Sequence, residues 1–255
     1  MRRLIEMVLF LLLCFSIVTT AQASDEVIDV YGGISYNTYS FDYHNDMVEH
    51  TKDDDDGINP SKIKGDESYF AGARFWLNNN LGFGIEGEEL EASTNALAYD
   101  NNDDEVRYIT GNGVFEAETT GLMATINYRL PQELYNDKVI FILGIGQYDS
   151  EYKVANGLIT GEDKTIGGKL GFEGEYSITD NLALVARGMY RYANTDDDSI
   201  AFEDQSLYDN LPENGGDASK FDTQEDYDRL INNFNQRNIV DFSGFEVSLA
   251  LKIRF

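Results

Sequence analysis

The 255 residues contain two histidines, His44 and His50, both in one acidic stretch close to Ser40. A histidine beside a serine can act as general base to a nucleophile. No catalytic motif surrounds this pair, however, and no enzymatic activity is expected. Carboxylates gather in three runs, KDDDDG at 52 to 57, DNNDDE at 100 to 105 and TDDDS at 195 to 199. Oxygen-rich clusters of this kind raise a calcium site. Aligning the invariant glycine of a calcium loop to Gly57 places Lys52 at the first ligand position and Ile63 at the bidentate one, and the other two runs lack the glycine. No metal site and no cofactor are therefore expected, and the runs read as solvated, mutually repelling loops. Weak divalent binding, or bridging to lipid phosphates, stays open.

A third set of charges recurs at alternate positions inside apolar stretches: Asp29, Arg74, Glu86, Glu88, Arg129, Lys169, Glu173, Glu175, Arg187, Arg191, Glu246, Lys252 and Arg254. Six acids and seven bases of this spacing can neutralise one another if they share one enclosed face. Their chemistry would be ion pairing.

The elements that would carry them are strands. VIDVYGGISYNTYSF, from 27 to 41, sets Ile28, Val30, Gly32, Ile34 and Tyr36 against Asp29, Tyr31, Gly33, Ser35 and Asn37. SYFAGARFWLN, from 68 to 78, sets Tyr69, Ala71, Ala73, Phe75 and Leu77 opposite Gly72, Arg74 and Trp76. Asn78, Asn79 and Asn80 suit a tight hairpin through the left-handed backbone that asparagine tolerates. The third stretch follows, with Leu81, Phe83 and Ile85 opposing Glu86 and Glu88. TTGLMATINYRL alternates Leu122, Ala124, Ile126 and Tyr128 with Met123, Thr125, Asn127 and Arg129. KVIFILGIGQYDSEYKV is less regular, since Ile140 and Ile142 fall opposite Val139, Phe141, Leu143 and Ile145. KTIGGKLGFEGEY, SITDN and LALVARGMYRY form a hairpin pattern, and GFEVSLALKIRF supplies an eighth strand. Period two throughout is the mark of strands with one apolar and one polar face.

Charge and leader narrow the environment. The formal net charge is -27, and a basic groove for nucleic acid is missing. Arg2 and Arg3 precede an apolar run from Met7 to Val18 and the small-residue site Ala21-Gln22-Ala23, so residues 1–23 read as a cleaved export signal and 24–255 as one domain. About 12 apolar residues fall short of the roughly 20 a spanning helix needs. Cys14, the only cysteine, lies inside that run, which leaves the exported chain without disulfide or thiol chemistry. The links between strands alternate in length. Short ones fall at 78 to 80, 131 to 137 and 177 to 181, and long ones at 42 to 67, 92 to 113, 149 to 163 and 193 to 243. Eight antiparallel strands with alternating short turns and long loops describe a closed transmembrane barrel. A soluble sandwich or lipocalin-like barrel, with the apolar face inward, is the competing reading.

The pattern resembles the small eight-stranded outer-membrane barrels, the OmpA/OmpX-like and opacity-protein-like group. GFEGEYSITDNLALVARGMYRY is similar to that group's penultimate hairpin. Phe255, preceded by Phe245, Val247, Leu249, Leu251 and Ile253, is similar to its C-terminal assembly signal. The resemblance implies an all-β, up-and-down antiparallel barrel in the outer membrane, with short periplasmic turns and long acidic extracellular loops. It also implies lipid and lipopolysaccharide as surroundings and the barrel-assembly machinery as a partner. On this reading the apolar stripe faces lipid, with Tyr36, Tyr69, Tyr128, Tyr176, Tyr190 and Phe255 in aromatic girdles. The charged stripe would plug the lumen with ion pairs, because an eight-stranded interior is just wide enough for side chains to fill. The expected role is structural or surface-interactive, with the loops facing an extracellular partner; a narrow porin-like channel is the alternative. Asp222 and Glu225, ahead of Tyr227, Leu230, Ile231 and Phe234, predict a short amphipathic helix in the last loop.

Overall fold

The computed structural model describes residues 28–41, 45, 46, 48, 62–100, 106–131, 138–154, 159–194 and 241–255. His44, His50, the leader, the run at 52 to 57, most of the other two acidic runs and the helix expected after Asp222 lie outside these residues.

Eight strands follow one another around a closed antiparallel barrel: β1 (Ile28–Asn37), β2 (Glu67–Trp76), β3 (Leu81–Asp100), β4 (Val106–Arg129), β5 (Lys138–Val154), β6 (Ile159–Ser177), β7 (Leu182–Tyr192) and β8 (Gly244–Arg254). The circle closes by pairing β1 with β8 in a register that sets Asp29 against Arg254 and Asn37 against Glu246. Closure leaves no sheet edge within the lipid, where an unpaired N–H or C=O has no water to bond.

Each expected strand is present, and the apolar stripes point outward. Ile34, Tyr69, Leu122, Ile145, Leu170, Leu184, Val247, Leu249, Leu251 and Phe255 are all exposed. Exposed leucines and isoleucines in this density would be untenable in water and are the normal covering of a lipid-facing band. Tyr36, Tyr69, Tyr190, Tyr192 and Phe245 ring one end of that band, and Tyr128, Tyr176 and Phe255 ring the other.

Two expectations need correction. The segments 92 to 113 and 149 to 163 are largely not loops: β3 and β4 stay paired out to Asp100 and Val106, with a register shift between Thr94 and Ala96, and β5 and β6 stay paired out to Val154 and Ile159. Their alternation continues above the membrane, with Leu90, Ala92, Phe115 and Ala117 buried inside and Glu91 and Glu116 outside. The Asn78–Asn80 turn also works differently. Among the described non-glycine residues only Phe41 has positive φ, so these asparagines avoid the left-handed backbone. Asn78 Oδ1 instead accepts hydrogen bonds from the Asn80 and Leu81 amides, both at 2.9 Å, an Asx turn. Thr179 Oγ1 does the same for Asn181 and Leu182 in the β6–β7 turn.

Candidate functional site: the barrel lumen

A strand that points its apolar residues at lipid must point the intervening ones inward, and the register of eight such strands decides which charges meet. The charged residues come from β1, β2, β3, β6, β7 and β8, with Arg129 alone on β4. On the opposite wall β4 and β5 contribute Met123, Ile140, Ile142 and Tyr148, all buried. Ile140 and Ile142 broke the alternation of β5 because this part of the lumen is apolar: they pack with Trp76 and Met189.

At the periplasmic end Asp29 accepts from Trp76 Nε1 at 2.7 Å and from Arg254 Nε at 3.2 Å. Arg254 also reaches Glu175 at 2.9 Å, and Lys252 donates to Glu175 while lying 3.6 Å from both Asp29 and Glu173. One layer up, the Arg74 guanidinium grips Glu173 through two bonds of 3.0 and 2.9 Å. Arg187 donates to Glu86 at 2.8 Å and lies 4.6 Å over the Phe70 ring. The Tyr31 hydroxyl adds a third partner to Glu86 at 3.0 Å.

Toward the outside, Lys169 holds Glu88 and Glu246 at 2.6 Å each and Glu86 at 3.4 Å. Arg191 reaches Glu88 at 3.3 Å, Asn37 Oδ1 at 3.0 Å and the Phe242 carbonyl at 2.9 Å. Tyr148 donates to Glu88 at 2.9 Å, its ring occupying the space where side chains at Gly121 and Gly167 would stand. Six carboxylates thus meet six cations, and every one of these groups is buried except Arg254, whose side chain is 22 % exposed. Charges out of water are tolerated only when paired in this way.

Arg129, the seventh base, departs from the expected network. It stacks 4.0 Å over the Trp76 ring and donates to the Asn79 carbonyl at 3.0 Å, with no described carboxylate within ion-pair distance. Its place at the last residue of β4 puts it at the periplasmic rim. With Arg129 set apart, the column is formally neutral.

Above the charges stands a layer that the sequence pattern did not reveal. Tyr39, Phe41, Phe115 and Phe242 are buried and meet mostly edge to face, with Tyr39–Phe242 centroids 5.0 Å apart, Phe41–Phe242 5.4 Å and Phe41–Phe115 5.8 Å. Phe41 adopts φ 38°, a left-handed backbone that costs an L-residue energy, and its ring is held on three sides by the others. Tyr31, Tyr148 and Trp76 were also missed as partners of the acids. The available signal was that each is an aromatic residue on a strand's polar face.

Chemically, the lumen offers charge compensation, and the described residues contain no group of three or more His, Cys, Asp or Glu arranged for a metal ion. A family model described as "Outer membrane protein beta-barrel domain" matches residues 8–250. No curated protein matches the chain in sequence. Solved structures with a similar course include Ail of Yersinia pestis in complex with the heparin analogue sucrose octasulfate, 11 % identical, covering 91 % of this chain and 100 % of Ail, TM-score 0.41. OprG of Pseudomonas aeruginosa is 9 % identical, covering 90 % of this chain and 95 % of its own, TM-score 0.46. The outer membrane protease OmpT of Escherichia coli is 11 % identical, covering 91 % and 98 %, TM-score 0.39.

Proposed function

Because the chain belongs to the outer membrane protein beta-barrel domain family, we propose that this integral outer-membrane protein serves as a closed, non-catalytic anchor that holds its extracellular strands and acidic loops outside the cell. The observation that carries the reading is the lumen. A neutral column of six acids and six cations, capped by four packed aromatic rings, occupies the space that a pore would need. Binding energy would then be invested outside, where β3 and β4 rise far beyond the lipid-facing band. The residues ahead of Ser24 are removed on export, and Phe245, Val247, Leu249, Leu251, Ile253 and Phe255 serve as the end read by the assembly machinery.

Planar-bilayer recording of the refolded protein tests the closed lumen. Bilayers containing it are expected to show no large, steady conductance, and a stable water-filled channel overturns the reading. A narrow channel is the second reading, favoured by one observation. The Arg187 Nε and Nη1 and the Arg191 Nη2 atoms are buried without a hydrogen-bond partner, leaving the column donors with which to exchange partners. Brief, small openings in the same recordings would support it.

A further inference from the structure

Arg129 stands apart from the ion pairs of the lumen, yet it is fixed from several sides. Its backbone N–H donates to the Asn80 carbonyl at 2.7 Å, and its own carbonyl accepts from Asn80 Nδ2 at 2.9 Å. The guanidinium lies 4.0 Å over the Trp76 ring while Nη1 donates to the Asn79 carbonyl at 3.0 Å. Trp76 is pinned in turn, its Nε1 bonded to Asp29 at 2.7 Å and its ring packed with Ile140, Ile142 and Met189. These contacts take the ring-facing side and one corner of the guanidinium. They leave the edge formed by Nε and Nη2, and Nε has no hydrogen-bond partner among the described residues. That edge is the two-donor fork that a carboxylate or phosphate takes side on.

The charges around it point the same way. Arg129 feels the Arg254 guanidinium more strongly than the Asp29 or Glu175 carboxylates, and both of those acids are already bonded to Arg254. Lys138 opens β5 at the same rim, opposite Glu175 in the register. A half-buried guanidinium beside a second one, with no acid of its own, gains from any anion that reaches its fork. Lipid is the wrong source. Arg129 follows the outward Tyr128, so alternation turns it to the lumen side of the wall, where it meets the inward Trp76. The mouth of the barrel there opens to the periplasm.

We infer that the periplasmic mouth is a carboxylate-binding site, in which a soluble carboxylate of the periplasm lies side on to Nε and Nη2 of Arg129 with Arg254 adding attraction from beside it. A carboxylate matches the planar fork with two oxygens and a single charge. A phosphate dianion would meet twice the repulsion from Asp29 and Glu175 and is the poorer fit. The fixed Trp76 and Asn79 partners hold the fork in place before the ligand arrives, so little side-chain freedom is lost on binding. The site lies at the end opposite the acidic loops and does not depend on whether the lumen conducts.

Trp76, the chain's only tryptophan, reports on the site directly. The full-length protein, refolded in a neutral detergent without phospholipid, is titrated with sodium acetate in exchange for sodium chloride at constant ionic strength. A saturable change in Trp76 emission is expected with acetate, and this comparison on the unaltered chain needs no variant to fold. Arg129→Lys keeps the charge but loses the fork, and the apparent affinity should fall by about tenfold, the equivalent of one charged hydrogen bond. Arg129→Gln should abolish the saturable response. Acetate acting no differently from chloride, or a full response in Arg129→Gln, overturns the site. So does a response that appears only after Glu133→Gln and Asp137→Asn, both outside the described residues, remove the acids of the neighbouring turn. Tighter binding of inorganic phosphate than of acetate overturns the choice of carboxylate, and a response to phosphatidylglycerol micelles alone assigns the fork to lipid instead.

Discussion

Replacing Arg74 with methionine removes one half of the two-bond Arg74–Glu173 pair in the lumen. Glu173 then loses both bonds, at 3.0 and 2.9 Å, and keeps only Lys252 at 3.6 Å and Arg187 at 3.9 Å, while the column changes from neutral to one net negative charge. Two unit charges 2.9 Å apart attract by about 6 kcal/mol at an effective dielectric near 20. Desolvation offsets much of that when both are present, but removing one leaves its buried partner uncompensated, at a cost of about 3 to 5 kcal/mol. Glu173→Met should cost a similar amount. The double variant should return most of the loss, because methionines of similar volume remove the desolvation together with the attraction. Urea titration in lipid vesicles reads this out through Trp76, the chain's only tryptophan, which lies 5.5 Å from Arg74. With a slope of about 2 kcal/mol per molar urea, each single variant should lower the midpoint by roughly 2 M. The midpoint rather than the emission amplitude is the measure, since the substitution also alters the probe's surroundings. A single variant within about 0.5 M of the unaltered chain would refute the ion-pair account. So would a double variant as unstable as the singles added together.

Arg129→Ala should be mild by comparison, about 1 kcal/mol, while shifting Trp76 emission, because it removes a cation from the ring face and leaves no acid unpaired; the same titration checks both. Phe41→Ala deletes a fully buried ring and should cost about 3 to 5 kcal/mol, with Phe41→Gly cheaper than alanine by relief of the left-handed backbone; the temperature at which the compact gel band is lost ranks them. Phe255→Ser should lower the fraction of barrel assembled in cells several-fold, while the protein refolded in detergent forms the same compact band, since Phe255 keeps its backbone bonds to Ile28; quantitative blotting of membrane fractions, beside refolding yield, separates the two effects.

Lipid outside and a filled lumen inside impose opposite demands on neighbouring residues, and this is why eight strands and their facing were legible in the sequence. VARGMYRY could be assigned inward and outward residue by residue, and Arg187 and Arg191 are indeed buried while Tyr190 is exposed. What alternation does not encode is register. That Arg74 on β2 would meet Glu173 on β6, 99 positions away, depends on the stagger of strands around the closed circle. The extension of β3 and β4 was hidden because its outward residues, Glu91 and Glu116 among them, are polar beyond the membrane, and a register shift between Thr94 and Ala96 interrupts the period. The aromatic cap was hidden for another reason. Phe41 and Phe242 stand outside the strands, where no period marks them, and only folding brings them to Phe115.

The long β3–β4 hairpin also sets a distance. Outward residues turn from apolar to polar near Gly87, and the paired strand continues through Asp100, so the last residue of β3 is carried roughly 30 Å above the head groups after allowing for strand tilt. The Debye length at physiological salt is about 8 Å, which puts more than three screening lengths between the end of β3 and the phosphates of the bilayer. The tip and the membrane are therefore electrically independent parts of one molecule. Its charge can be rewritten to suit whatever approaches from outside, and the barrel's seat among the lipids would not register the change.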